Sequence, residues 1–557
     1  MQGLPFVRNG KTLLSAVNPS GRAERTAKAV PVKERTLYFC PSPLYGYGLS
    51  CFLSRLETEA PDCAVLCIES DPELFELAKQ NIDASIAANK LFHLTNICGS
   101  EGVYALVREK WGARAFRRVE VLRLTGGWQL FPELYDSICD SLRREIATDW
   151  SNALTLSKMG RLYIRNALRN LSLVLKYPSV RELSFAGAPV LVLGAGPSLD
   201  ETLDALVKKY ADVLASPKKR SFKIICADTC LGALKERNIV PDLTVILESQ
   251  HWNINDFLAC RGWKVNAAID LSSLPASVNI LCGDNFLFFT PWTQLKIFER
   301  LKSTGLLPVV LPPLGSVGLT AVEMSRRLTT GKIICAGLDF SFTQDKYHAR
   351  STPGHRSRLN LQSRFKRLFN PAAYNQYTIA AVSKSGFPVY TNPAMKNYRD
   401  LFEQEFGGDE RMFDIEGTGL PLGIKTLSLE DAMALLGKDN LAPTQNVQAI
   451  SDAVPDAEPF EASCSLRQDQ GANTSLTSFF ENEKNRLEEL RGLLTGEAAA
   501  DDERLNILIE ECDYLWAHFP DYAGGKSPAV TDISFLKRIR AEIDPMLKLL
   551  VFSFQDR

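Results

Sequence analysis

At 557 residues the chain is longer than one hydrophobic core supports, and ordinary domain sizes suggest about three. With 45% hydrophobic and 23% charged residues it has the composition of a folded protein, which excludes global disorder; its net charge of −1 lacks the basic bias of a general nucleic-acid binder. Thirteen cysteines without CxxC pairs suggest reduced, mostly buried thiols, with Cys63, Cys67, Cys226 and Cys230 reading as core residues in or beside strands. Met1 to Lys11 have no apolar signal-peptide core, and no apolar run approaches the roughly 18 residues of a membrane span, so a cytoplasmic protein is expected.

Residues 1–35 read as an exposed lead-in, polar and basic from Asn18 to Arg35. Thr36 to Cys40 and Ala64 to Ile68 read as strands around a helix from about Gly48 to Glu59, opening an N-terminal Rossmann-like domain over 36–150. Its second strand ends in Glu69-Ser70-Asp71, where an acid can bind a ribose hydroxyl. Two prolines and two tyrosines crowd the preceding Pro41 to Gly48 turn, which favours a domain used for packing or partner contact. After a strand at Val119 to Leu124, Pro132 to Thr148 and Gly160 to Lys176 read as helices; Ile164, Leu168, Leu171 and Leu175 form a core stripe, and Arg165 and Asn166 either reach a site or, as expected of a helix face, are solvated.

A central domain over 151–437 is expected to hold a mostly parallel sheet. Its strands are Pro189 to Leu193, Lys223 to Ala227, Leu243 to Leu247, Val265 to Ile269, Val278 to Cys282 and Lys332 to Ala336, separated in most cases by helical segments. Ligands of such sheets bind beyond the strand C-termini. Those ends carry Gly194-Ala195-Gly196-Pro197-Ser198, Asp228-Thr229, Glu248, Asp270 and Gly337-Leu338-Asp339. The first is a Gly-rich turn before a helix, a candidate phosphate cradle, and Gly315-Ser316 is a second anion turn. Beyond Asp339 a loop carries Tyr347-His348 and His355, two of the five histidines and general-base candidates. Residues 438–475 read as a linker. Residues 476–557 read as a helical bundle, for oligomerisation or for docking a substrate protein.

Gly194 to Leu199, Ala227-Asp228-Thr229, Ile239 to Leu243, Gly315-Ser316-Val317, Gly337 to Phe340 and Glu416 to Gly419, in this order and spacing, resemble the motility-associated factor (Maf) flagellin glycosyltransferases. The layout of Rossmann-like domain, central domain and helical tail is also similar to theirs. The central pattern resembles bacterial sialyltransferases as well, with Ala195 where their turn has Asn, and Asp228 and Glu248 where they have neutral Asn residues. The resemblance implies an inverting, metal-independent transfer of a nonulosonic acid of pseudaminic, legionaminic or sialic type from a CMP donor to Ser or Thr of flagellin, with no cofactor. It implies catalytic roles among His348, His355 and Asp339, and donor binding by Gly194 to Ser198, Asp228, Thr229, Glu248, Ser316 and Tyr347. Asp228 and Glu248 would repel a phosphate and are expected to face ribose, cytosine or the acceptor hydroxyl. A base with a pKa of roughly 6–7 would suit the chemistry. A similar central domain occurs in archaeal 6-hydroxymethylpterin diphosphokinases, an alternative activity; a non-catalytic flagellin-binding scaffold is another.

Overall fold

The computed structural model describes residues 6–112, 115–365, 370–437, 470–496, 501–519 and 532–555. It divides into two compact units, Met1–Arg161 with Leu515–Leu536, and Leu162–Tyr514 with Lys537–Arg557.

The first unit begins with an antiparallel hairpin of β1 (Phe6–Arg8) and β2 (Lys11–Leu14), turned by Asn9 and Gly10 at φ 52° and 74°. Helix α1 (Pro19–Ala29) follows, capped by the Asn18 side chain on the Gly21 N–H, and it buries Ala23 and Ala27. The exposed lead-in expected over 1–35 is therefore corrected over 6–35, residues 1–5 lying outside the described ones: an Asn-Gly turn, an Asn cap and a Pro at the helix start outweigh the polar composition. Strands β3 (Thr36–Pro41) and β4 (Ala64–Ile68) flank α2 (Leu49–Glu59). The unit continues with α3 (Pro72–Asn81), α4 (Ala84–Ala87), β5 (Phe92–Thr95), α5 (Ser100–Trp111) and β6 (Arg118–Val121). Its four-stranded sheet is parallel, in the order β5-β4-β3-β6. The two helices expected after β6 are one continuous helix, α6 (Pro132–Asn170).

The acids at the end of β4 are committed to the chain itself. Glu69 accepts from the Ser42 hydroxyl at 2.5 Å and from the Asp71 N–H at 3.3 Å, while Asp71 caps α3 and pairs with Arg8 at 2.9 Å. A side chain at Gly127 would meet Ser42 Oγ at 2.1 Å, so the turn where a dinucleotide would sit is closed by packing.

The second unit is organised on an eight-stranded, wholly parallel sheet. Its elements in order are β7 (Val190–Leu193), α7 (Leu199–Leu214), β8 (Lys223–Ala227), α8 (Leu231–Glu236), β9 (Leu243–Ile246), α9 (Ile254–Leu258), β10 (Ala267–Asp270), β11 (Asn285–Phe288), α10 (Lys296–Ser303), α11 (Val317–Leu328) and β12 (Ile333–Ala336). A second stretch supplies α12 (Pro353–Asn360), the hairpin β13 (Ile379–Val382) and β14 (Pro388–Thr391), α13 (Pro393–Phe406), β15 (Met412–Ile415), β16 (Lys425–Leu427) and α14 (Leu429–Leu436). The order is β11-β10-β9-β8-β7-β12-β15-β16, and β7 to β10 are buried except at one position. Lys223 is the one half-buried residue among them. Apolar runs covered on both faces by helices account for this core. The strand expected at Val278 to Cys282 is a turn region after Pro275; its apolar residues Val278 and Leu281 are buried without joining the sheet, and β11 lies further on.

The tail comprises α15 (Gln470–Thr495), α16 (Asp502–Glu511) and α17 (Ile533–Gln555), close to the three expected amphipathic stripes. The fully buried Glu483 of α15 binds Arg300 of α10 at 2.6 and 2.9 Å, and Asp513 accepts the Lys296 N–H at 3.0 Å. These tail residues are thus spent within the second unit. The expected linker lies outside the described residues up to 469, and Gln470 is already helical.

Candidate functional site

The chain leaves β7 toward β8 on one side of the sheet, while β12 pairs with β7 on the other, so the crevice beyond these two strands is a topological switch point. The Gly194 to Ser198 turn and the Gly337 to Phe340 loop meet there. The Gly194 N–H donates to Ala336 O at 2.9 Å and the Gly196 N–H to Gly337 O at 2.8 Å. A Cβ at Gly194 would stand 2.5 Å from Gly337 O, and one at Gly337, whose φ is 67°, 2.3 Å from Gly194 O. Asp339, 1% exposed, accepts from the Ser198 N–H at 2.8 Å and from its hydroxyl at 2.5 Å. The turn expected to cradle a phosphate already holds an anion, the chain's own carboxylate, and its glycines serve the approach of two loops. Asp339, expected among the catalytic groups, has both oxygens engaged in this clamp. Gly196→Ala would put a methyl 2.5 Å from Asp339 Oδ2. It is expected to lower stability by about 1–3 kcal/mol, read as a shift of the urea midpoint.

Lys384 stands behind the clamp. Its buried ammonium donates to both Asp414 oxygens at 2.6 and 2.7 Å, and its charge opposes the rise that burial imposes on the Asp339 carboxyl. Burial pushes Asp414 up to about 6. The Glu416 to Gly419 segment closes over the same spot: the Leu420 N–H donates to Asp339 O, and a Cβ at Gly419 would stand 2.8 Å from Asp339 Oδ1.

An acidic wall follows at the ends of β8 to β10. Asp228 is fully buried, accepting from the Thr229 N–H at 2.8 Å, the Thr229 hydroxyl at 3.3 Å and Asn253 Nδ2 at 3.0 Å. Glu248 keeps solvent access while the surrounding chain raises its carboxyl, with the Asp228 charge adding to the rise. Burial, then the charges of Asp228 and Glu248, push Asp256 of α9 up to about 7. Burial also raises the phenols of Tyr163 and Tyr398, and the Glu248 charge is the next contribution to each, so these rings lie near that carboxylate. A Cβ at Gly315 would be 3.0 Å from Tyr398 Cε1, which brings the start of α11 to the same place. Ser316 makes no side-chain cap there, leaving the first-turn amides of this 12-residue helix without a capping hydroxyl.

Two asparagines that sequence reading assigned to solvent or passed over support this wall. Asn166 Nδ2 donates to Ser249 O at 3.1 Å and Ser272 O at 3.2 Å, and Asn170 Nδ2 to Leu271 O and Ser273 O at 2.9 Å each. Both are 2% exposed, which corrects the solvated reading of Asn166. Polar residues at 163, 166 and 170, at helical spacing between apolar ones, were the signal.

The histidine loop is tied down through Asp200, which accepts Lys346 Nζ at 3.1 Å and the Arg350 N–H at 3.2 Å and pairs with Arg237 at 3.2 Å. The Ala349 N–H donates to Ala195 O at 3.0 Å, so His348 stands next to the residue that joins this loop to the Gly-rich turn. The Tyr347 ring stacks on Phe342 at 5.0 Å and meets the His348 ring edge-on at 4.8 Å. Burial, reinforced by the positive charge of Arg358, lowers His348 to about 4, below the 6–7 expected of a base. His355, 8% exposed on α12, is lowered chiefly by burial and feels Asp200, Lys346, Arg358 and Arg350.

Comparison with known proteins gives three likenesses. Residues 165–345 match the family model of the MptE-like 6-hydroxymethylpterin diphosphokinases. An uncharacterized protein of Treponema pallidum (strain Nichols) is 28% identical over 564 aligned positions, covering 98% of this chain and 93% of the relative. A Maf glycosyltransferase from Magnetospirillum magneticum AMB-1 shares the fold over 100% of this chain and 85% of its own, with a TM-score of 0.51 at 12% identity. Both parts of the resemblance read from the residues, Maf layout and MptE-like centre, are matched.

Proposed function

We propose that this chain is an inverting glycosyltransferase that moves a nonulosonic acid from a CMP-activated donor to a Ser or Thr hydroxyl of flagellin, in support of flagellar assembly and motility. The observation that carries the reading is the fold shared over the whole chain with a Maf glycosyltransferase, with the acidic and tyrosine-lined wall of Asp228, Glu248, Tyr163 and Tyr398 at its strand ends. In this reading the amides at the start of α11 and the Ser316 hydroxyl take the donor phosphate, because the Ser198 donors of the Gly-rich turn are given to Asp339. Glu248, which keeps solvent access, faces ribose or cytosine, where a carboxylate accepts hydrogen bonds from hydroxyl and amine groups, and the buried Asp228 supports the wall behind it. His348 is assigned as the base over His355 because the Ala349 N–H ties its loop to Ala195 of the Gly-rich turn, whereas His355 lies on α12 among Asp200, Lys346 and Arg350. The acceptor oxygen forms a bond to the anomeric carbon, the bond from that carbon to the phosphate oxygen breaks, CMP leaves with the electron pair, and the hydroxyl proton passes to His348.

No DxD motif stands at a strand end, and the reaction is proposed to need no metal. Purified protein with CMP-activated sugar, flagellin and EDTA is expected to give the acidic-sugar mass increment; product that forms only when magnesium is returned would remove the metal-free part. The MptE-like match over 165–345 supports a second reading, a pterin diphosphokinase. Magnesium-dependent conversion of ATP to AMP with a hydroxymethylpterin would establish it.

A further inference from the structure

We infer that Arg358 is the receptor for the carboxylate of an acidic sugar donor, an assignment that rests on the transferase reading. The neighbouring cations are neutralised: Lys346 and Arg350 pair with Asp200 at 3.1 and 3.4 Å, Arg237 with Asp200 at 3.2 Å, and Arg356 reaches Glu236 at 3.9 Å. Arg358 is different. It is half-buried on α12, its guanidinium lies over the Tyr347 ring at 5.3 Å, and among the described residues it has no carboxylate partner. A cation–π contact holds the guanidinium over the ring through its π face, and its N–H groups can still donate to a planar anion. A partly desolvated cation without a counter-charge is costly, and a bound carboxylate would relieve that cost.

The position selects which anion. The Tyr347 ring beneath Arg358 meets the His348 ring edge-on at 4.8 Å, which sets the guanidinium one ring away from the side chain assigned to deprotonate the acceptor beside the anomeric carbon. In a nonulosonic acid the carboxylate is attached to that same carbon, so a cation next to the base faces it. Hexose donors lack this group, and Arg358 would then discriminate between donor classes as well as bind one.

Calorimetric titration of the full chain and of Arg358→Met with CMP and with CMP-N-acetylneuraminic acid separates the possibilities. A charge-assisted bidentate contact is worth roughly 1.5–3 kcal/mol, so the CMP-sugar Kd is expected to rise about 10- to 100-fold. The Kd for CMP alone should stay within about threefold, which also shows that the variant is folded, and Arg358→Lys should fall between the two. Equal weakening of both ligands would make Arg358 a phosphate contact and overturn the inference, as would an unchanged CMP-sugar Kd. Binding that follows the expected pattern without transfer to flagellin would contradict the acceptor assignment alone. A wild-type chain that binds neither nucleotide removes the donor reading and this inference together.

Discussion

His348→Asn is expected to lower the rate of sugar transfer by about 10²–10⁴-fold with little change in donor Kd, the usual worth of a positioned general base. His355→Asn should cost less than about tenfold, because His355 is packed on α12 beside the Asp200 anchor. The pH profile sharpens the assignment. His348 must be neutral to accept a proton, and a pKa of about 4 keeps it neutral down to mildly acidic pH. kcat/KM should therefore stay flat from neutral pH downward and bend only near pH 4. A bend near pH 7 would instead assign proton transfer to the carboxylates around Asp256, which is pushed up to about 7. The same lowering links to stability: the unfolded chain protonates this imidazole before the folded one does, so stability falls as pH drops from the ordinary histidine value toward 4.

Asp242→Ala is expected to destabilise the second unit by about 3–5 kcal/mol. The Arg220 side chain is fully buried; its Nη2 bonds Asp242 Oδ2 at 2.5 Å and its Nη1 bonds Val240 O at 2.8 Å. Asp242 also accepts the Ile224 N–H at 2.9 Å and pairs with Lys223 at 3.2 Å, so one carboxylate fastens β8 to the chain entering β9. Alanine would leave a guanidinium in the core without its counter-charge. Hydrogen exchange of the β8 amides or a urea midpoint would register the loss. Arg220→Met combined with Asp242→Leu should recover much of it, because the unpaired charge goes too. A loss below about 1 kcal/mol would show the pair to be solvated in solution.

Asp242 also shows what the sequence made legible. Its place in the Ile239 to Leu243 stretch contributed to the family resemblance, yet its partner Arg220 lies outside that stretch, and the role is one of holding the sheet. Strands β3, β4 and β8 fall within a residue of their expected bounds, because short apolar runs between turn signals have few alternatives in a covered parallel sheet. Strands β15 and β16 were not foreseen: Met412 to Ile415 is short and contains the buried Asp414, whose charge is paired with Lys384. The Gly-rich turn shows the limit most clearly. Residues 194–198 have the composition of a phosphate loop, but Asp339, 141 positions beyond Ser198, takes the Ser198 donors, and no local pattern reports a contact at that separation. Asp228, Glu248 and Ser316 were legible as strand-end and helix-start residues, whereas Tyr163, Tyr398 and Arg358 depend on how α6, α13 and α12 are laid over the sheet.

The most direct test is intact-mass spectrometry of flagellin incubated with the purified chain and a CMP-activated nonulosonic acid. Transfer as proposed gives increments of one acidic sugar residue on Ser or Thr with release of equimolar CMP, lost in His348→Asn. Unmodified flagellin together with magnesium-dependent pyrophosphoryl transfer from ATP to a pterin would contradict it.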